Sequence, residues 1–294
     1  MKMTLEGISH KLGMAKELHA VVRTMKALSA SNLQQYENAV KAMNTYTGNI
    51  RRGLWVCMQF LPMEEVQSTN VEHTTVAIVF GSGQGLAGQF NDLIYRESIH
   101  LLADLQGKKE VWTIGPFLDA RFMDVGITPT RQFEVPHALE SINALIRLIL
   151  TNVEKIIAGN PNTAFYLCHN QPSEGAVYHP VQTRFLPMDR AWLDSITQEK
   201  WPAMQRPEAL PDPLSTMQAL VREYLFVSIY RAGAESLASE NISRLAAMER
   251  AEKNIDEIVD SLTQEYHQLR QSSIDEEMFD VIAGAQSSTH RQGL

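Results

Sequence analysis

Residues 238–271 read ASENISRLAAMERAEKNIDEIVDSLTQEYHQLRQ, and one helical period runs through nearly all of them. Leu245, Met248, Ile255, Val259, Leu262, Tyr266 and Leu269 step by threes and fours, with Glu252 alone breaking the register. That spacing keeps one apolar stripe turned toward a coiled-coil partner. Working outward, from Ser215 to the last residue there is no proline, and glycine occurs only at Gly233, Gly284 and Gly293. A helix over 217–283 would reach roughly 100 Å at the usual helical rise, far beyond the three or four turns of an ordinary globular helix. A chain of 294 residues cannot enclose such a rod, so it needs a second long helix or partner subunits along its length.

The other end of the chain supplies a matching stripe. Leu5, Ile8, Leu12, Ala15, Leu18, Val22, Met25, Leu33, Tyr36, Val40 and Met43 fall mostly three or four apart, with Ser29 filling the one wider gap and no proline before Pro62. Charge favours pairing the two ends. Residues 1–52 hold eight Lys and Arg against three Glu, a net of +5, whereas 215–294 hold seven against thirteen Asp and Glu, a net of −6. Exposed, salt-screened pairs add little stability, but the opposite signs favour this partner over two acidic helices associating with each other.

The middle of the chain has a different rhythm. Residues 74–80, TTVAIVF, are rich in β-branched side chains and end at a glycine cluster; strands are predicted there and at 110–114, 130–135, 163–169 and 181–186. Helices are predicted at 90–105, 116–123 and 138–158. This alternation implies an α/β domain, a small, mainly parallel Rossmann-like sheet covered on both faces and doubly wound. Pro202, Pro207, Pro211 and Pro213 then punctuate a polar connector. The expected organisation is an N-terminal stalk helix (1–60), an inserted α/β domain (70–200), a Pro-rich connector (201–214) and a C-terminal stalk helix (215–294). The two stalk helices should form a long antiparallel coiled coil.

Composition excludes several classes. A net charge of −8 without a basic patch argues against nucleic acid, where phosphate neutralisation dominates affinity. No apolar run is long enough to span a bilayer, and the first residues read as a polar helix rather than a leader. Cys57 and Cys168 are the two cysteines, far apart and among hydrophobic residues, so buried free thiols are expected.

One motif points toward an enzyme. Gly83, Gly85 and Gly88 match the G-x-G-x-x-G turn of dinucleotide-binding folds, where glycines let a pyrophosphate approach a helix N-terminus. The acid expected at the end of the second strand is replaced by Gly115-Pro116, and no G-K-[ST] follows, so a plain strand-to-helix turn is the favoured reading. Cys168, His169 and His179 lack metal-ligand spacing and read as core or surface residues. Nothing assembles a nucleophile, base and oxyanion hole. No cofactor and no metal are expected.

With these features placed, the chain resembles the gamma subunits, the central rotor shafts, of F-type rotary ATP synthases. The resemblance is densest from Ala238-Ser239-Glu240 through Arg244-Leu245-Ala246-Ala247-Met248, Ala251, Asn254, Leu262, Tyr266, Arg270-Gln271, Ile274 and Glu277 to Ile282-Ala283-Gly284-Ala285. Thr24-Met25-Lys26-Ala27-Leu28-Ser29-Ala30 is similar to the family's A-M-K-M-V-A-A. The glycine turn matches with changes: Gly83, Gln84 and Ala87 stand where the family has Asp, Arg and Cys, which suggests a divergent bacterial lineage.

The resemblance implies a non-catalytic subunit. Its paired helices would insert into a ring of three alpha and three beta subunits, with the α/β domain near the epsilon subunit and the c-subunit ring. The site would be peripheral, on the cytoplasmic side of the bacterial plasma membrane. Carried over residue by residue, Met25 and Lys26 would lie by a beta-subunit lever loop, Glu240 and Arg244 at coupling positions, and Arg270 and Gln271 at a beta-subunit catch loop. The coupling ion, proton or sodium, would be chosen by other subunits. The alternative from a different class is an NAD(P)-dependent oxidoreductase with a helical dimerisation stalk.

Overall fold

The computed structural model describes residues 4–60, 74–136, 138–173, 177–188, 190–198, 201 and 207–291, with the side chains of 190 and 283–291 left aside. Two long helices bracket a sheet: α1 (Leu5–Met58) and α6 (Pro213–Arg291). Between them lie β1 (Thr74–Phe80), α2 (Phe90–Asp104), β2 (Lys108–Ile114), α3 (Pro116–Asp124), β3 (Arg131–Phe133), α4 (Leu139–Gly159), β4 (Thr163–Ser173), β5 (Val177–Leu186) and α5 (Arg190–Thr197). The described residues fall into two compact units, those of Met1–Leu28 with Leu245–Leu294 and those of Ser29–Arg244. We call them the coil unit and the sheet unit. The sheet unit therefore takes in parts of both terminal helices as well as the middle segment.

The sheet runs β3-β2-β1-β4-β5. Parallel pairing joins β3, β2, β1 and β4, while β5 is antiparallel to β4. Every residue of β1 is buried, which is why its sequence is a continuous apolar run rather than an alternation. On one face Ala77, Val79 and Val111 pack with Ile94, Leu101 and Leu102 of α2 and with Leu118 and Phe122 of α3. On the other, Ile78, Phe80, Trp112 and Phe165 pack under Ile142, Ile146 and Ile149 of α4 and Ile229, Leu237 and Ala238 of α6, with Tyr36 of α1 joining them.

Several boundaries differ from the sequence-based expectation. The last strand begins at Val177, not 181, and Pro180 lies inside it opposite Asn170; an edge strand has no partner on one side, so the missing N–H is tolerated there. Helix α5 was not predicted. It is held by tertiary contact: Trp192 packs on Tyr224 with ring centroids 4.4 Å apart, and Leu193 and Ile196 enter a cluster with Ile50, Leu54 and Val227. Pro213 opens α6 instead of interrupting the chain, with Asp212 before it accepting the N–H bonds of Leu214 and Ser215. A proline is preorganised for that first position, and the acidic cap satisfies two of the helix's orphan donors. Pro202 lies outside the described residues.

Within the coil unit α1 and α6 run antiparallel. Val22, Met248 and Ile255 form its buried seam, with Met25, Ala247, Ala251 and Val259 partly buried beside them. Leu18, expected in the stripe, is instead 53% exposed. Both cysteines are buried and free; complete enclosure pushes the Cys168 thiol up to about 12.

Candidate functional site

The glycine turn lies at the C-terminal end of β1, where the strand order reverses, with β2 on one side and β4 on the other. In open α/β sheets a ligand crevice forms at such a point. Here the turn is tied down locally: the Ser82 N–H donates to Asn91 Oδ1 at 2.9 Å, and Asn91 Nδ2 donates to Ser82 Oγ at 2.8 Å. A Cβ on Gly83 would sit 3.0 Å from Val135 Cβ, and one on Gly115, at φ +106°, would sit 2.6 Å from the Ser82 carbonyl oxygen. These two glycines are required by close packing and backbone conformation.

Helix α6 fills the crevice. The backbone N–H groups of Gly83 and Gln84 bond the Glu240 carboxylate. Arg244 Nη2 donates to Glu240 Oε1 at 2.5 Å and to the Gln84 carbonyl at 3.4 Å. Ser243 Oγ donates to the Ala87 carbonyl at 2.5 Å and meets the Tyr178 hydroxyl at 2.8 Å. Asn170 of β4 donates to the Phe90 carbonyl at 3.0 Å, and its own carbonyl accepts from Ser239 Oγ at 3.0 Å. The anion-receiving geometry that glycine turns offer to phosphates is thus taken by a carboxylate of the same chain. The dinucleotide-enzyme reading of Gly83, Gly85 and Gly88 gains no support from this geometry. Burial pushes the Glu240 carboxyl above its ordinary range, against the pull of Arg244 and the two N–H groups.

One helical step back, a second buried cluster joins α6 to β4. Glu235 Oε2 meets His169 Nε2 at 2.7 Å, while Glu235 Oε1 accepts from Arg231 Nε at 2.7 Å and Gln171 Nε2 at 3.1 Å. Burial pushes the Glu235 carboxyl up, but the bonds and charges of His169 and Arg231 outweigh it and hold the group below its ordinary value. Sequence reasoning did not single out Glu235. The available signal was its setting among Ala232, Gly233, Ala234, Ser236, Ala238 and Ser239, small residues that let other elements approach the helix on every side. Residues 232–244 are all buried.

The coil unit handles charge differently. Lys26 Nζ donates to Glu252 Oε2 at 2.9 Å and lies 3.9 Å from Glu249 Oε1. His19 Nε2 lies 3.2 Å from Asp256 Oδ1 and 4.0 Å from Glu252 Oε1. Glu252, the register break in the sequence, is therefore where the seam carries its ion pairs. The bond to Glu252 holds the Lys26 ammonium above its ordinary range, and the same bond lowers the Glu252 carboxyl. Met25 packs on the seam. Arg270 and Gln271 are exposed on α6. Of the six expected site residues, the structure brings Glu240 and Arg244 into direct contact. It joins Lys26 to carboxylates of its own chain.

A small doubly wound sheet inserted between two long terminal helices that pair with each other defines the class: an α/β domain carried on a helical stalk. The family model described as ATP synthase matches residues 4–287. The chain belongs to that family. It is 25% identical over 303 residues to the ATP synthase gamma chain of Anaeromyxobacter sp. (strain Fw109-5), covering 97% of this chain and 99% of that one. Among solved structures it is similar to the rotor of the Euglena gracilis mitochondrial ATP synthase, with a TM-score of 0.60, 16% identity, and 92% and 98% of the two chains covered. It is likewise similar to the central stalk/c-ring of the Tetrahymena thermophila enzyme, with a TM-score of 0.58, 20% identity, and 79% and 99% covered.

Proposed function

We propose that this chain is the central rotor stalk, the gamma subunit, of an F-type ATP synthase or ATPase, a non-catalytic link between ion-driven rotation of a c ring and nucleotide chemistry in beta subunits. Its partners are three alpha and three beta subunits, an epsilon subunit and the c ring. It reaches the cytoplasmic face of a bacterial plasma membrane through that complex. No helix among the described residues is long and apolar enough to cross a membrane.

The observation that carries this reading is the family match over residues 4–287 combined with the bare end of α6. From residue 270 to residue 282 every position is exposed, including Ile274, Met278, Phe279 and Val281. Apolar side chains in that number on an uncovered helix fit a surrounding sleeve of other subunits. An asymmetric shaft touches each of three surrounding catalytic subunits differently, and that difference biases their open and closed populations, which is how rotation and nucleotide affinity become coupled.

Lys26, Arg270 and Gln271 are the proposed contacts with beta, and Met25 supports Lys26 from the seam. Glu240 and Arg244 serve coupling indirectly, by fixing α6 to the sheet through the glycine turn. Co-expression with alpha and beta subunits tests the assignment: a complex of three, three and one is expected, and a chain that never joins such a hexamer ends it. Within the assembled enzyme, Lys26→Ala lowers ATP-driven ion pumping more than ATP hydrolysis. Equal pumping and hydrolysis in wild type and variant would remove Lys26 from the coupling set.

A further inference from the structure

The two flanks of the coil seam differ. Along one, Lys26 and His19 of α1 meet Glu252 and Asp256 of α6. Counting round the helix from buried Val22, the period places Met14, Leu18, Val21 and Leu28 on the other flank, at successive steps of four, three and seven. All four are more than half exposed, although they repeat like a packed seam. Counted in the same way from buried Ile255, α6 turns Ala247, Ala251, Asn254 and Ser261 to that flank, with Ile258 the one large side chain among them.

An apolar ridge on α1 therefore runs beside a lower floor on α6, and a surface of that shape is complementary to a copy of itself. A two-fold axis along the coil lays each ridge over the partner's floor, α1 against α6, and closes a four-helix bundle. Charge selects the same arrangement. Residues 14–28 hold three Lys and Arg against one Glu, whereas 247–261 hold two against five Asp and Glu. Setting α1 over α6 thus joins opposite signs, and α1 over α1 would join like ones.

We propose that the free chain pairs with a second copy of itself through this groove. The ridge covers roughly 20 Å of helix, so the interface belongs to the small, transient class with micromolar affinity. It requires no other subunit and stands independently of the rotor assignment. Sedimentation equilibrium of the full chain from about 1 to 100 µM tests it. The average mass is expected to rise from that of one chain toward that of two.

Val21→Glu, at an exposed position of the ridge, should weaken association about tenfold or more, and Asn254→Lys on the floor should weaken it as well. Mixed together, the two variants should pair more tightly than either does alone, because the mixed dimer sets the new carboxylate against the new ammonium at one of its two contacts. Ala27→Glu, exposed on the far side of α1, is the control and should change nothing. A mass fixed at one chain over the whole range overturns the proposal. So does association that Val21→Glu leaves intact, as pairing through the bare end of α6 would, or that Ala27→Glu disrupts equally. A mixed pair no tighter than the single variants overturns it too, since ridge and floor would then not meet.

Discussion

Helix α6 meets two environments along one uninterrupted sequence of helical turns. In the sheet unit, residues 232–244 are enclosed on every side and carry Glu235, Glu240 and Arg244 into the interior. In the coil unit, the same helix buries Met248 and Ile255 and leaves most other positions open. The difference teaches where charge matters to stability. A buried carboxylate is costly to desolvate and persists only because each oxygen has a donor. The pairs of the coil unit keep contact with solvent, Lys26 and Glu252 being only partly buried, and so add less.

The sharpest way to break this contrast is Glu240→Ala. It strips Arg244 of its partner and leaves the Gly83 and Gln84 N–H groups unpaired, so a loss of about 3–5 kcal/mol is expected in denaturant unfolding. A loss under about 1 kcal/mol would mean the turn behaves like a surface feature. Next comes Gly115→Ala, where a Cβ 2.6 Å from the Ser82 carbonyl at φ +106° should cost about 1–3 kcal/mol. Gly126→Ala serves as control: it shares a positive φ of +79° but has open space around it, so it reports the backbone strain without the clash.

Glu235 sharpens the contrast through pH. Its folded-state carboxyl lies below the ordinary 4.5, so its stabilisation is fully present above that value and is lost as pH falls through the folded-state value. Glu235→Gln should therefore lose less stability than wild type between pH 6 and pH 3, measured by unfolding at about those two values. Glu240 runs the other way. Its carboxyl is raised, so its ionisation weakens the fold as pH climbs through the folded-state value, and Glu240→Gln should remove that alkaline-side loss. The smallest effect on stability belongs to Lys26→Ala, which removes only partly solvated pairs. Its unfolding midpoint should match wild type at 0.5 M salt, a concentration that screens such pairs.

The same contrast explains what the sequence made legible. β1 was placed to the residue because a strand buried on both faces must be apolar throughout, and TTVAIVF is. The period of α6 announced the coil. What escaped was whatever depends on contacts distant in sequence. Helix α5 exists because Trp192 finds Tyr224. Pro180 looks like a strand terminator until β5 is known to be an edge. Glu235 looks like any solvated helix charge until His169 of β4 is brought to it, and Leu18 fits the heptad pattern without fitting the seam. The site was half visible: Glu240 and Arg244 were named from resemblance, but that they occupy the glycine turn could not be read from their spacing.

The two thiols carry a practical consequence. Cys168 is wholly enclosed with its ionisation pushed to about 12, and Cys57 is buried with its thiol likewise raised by burial. Since only thiolates react with alkylating reagents, the native chain should take up maleimide dyes very slowly. A single cysteine engineered at an exposed position outside the proposed subunit contacts, such as Lys109, would then be labelled almost alone, without first deleting either natural cysteine.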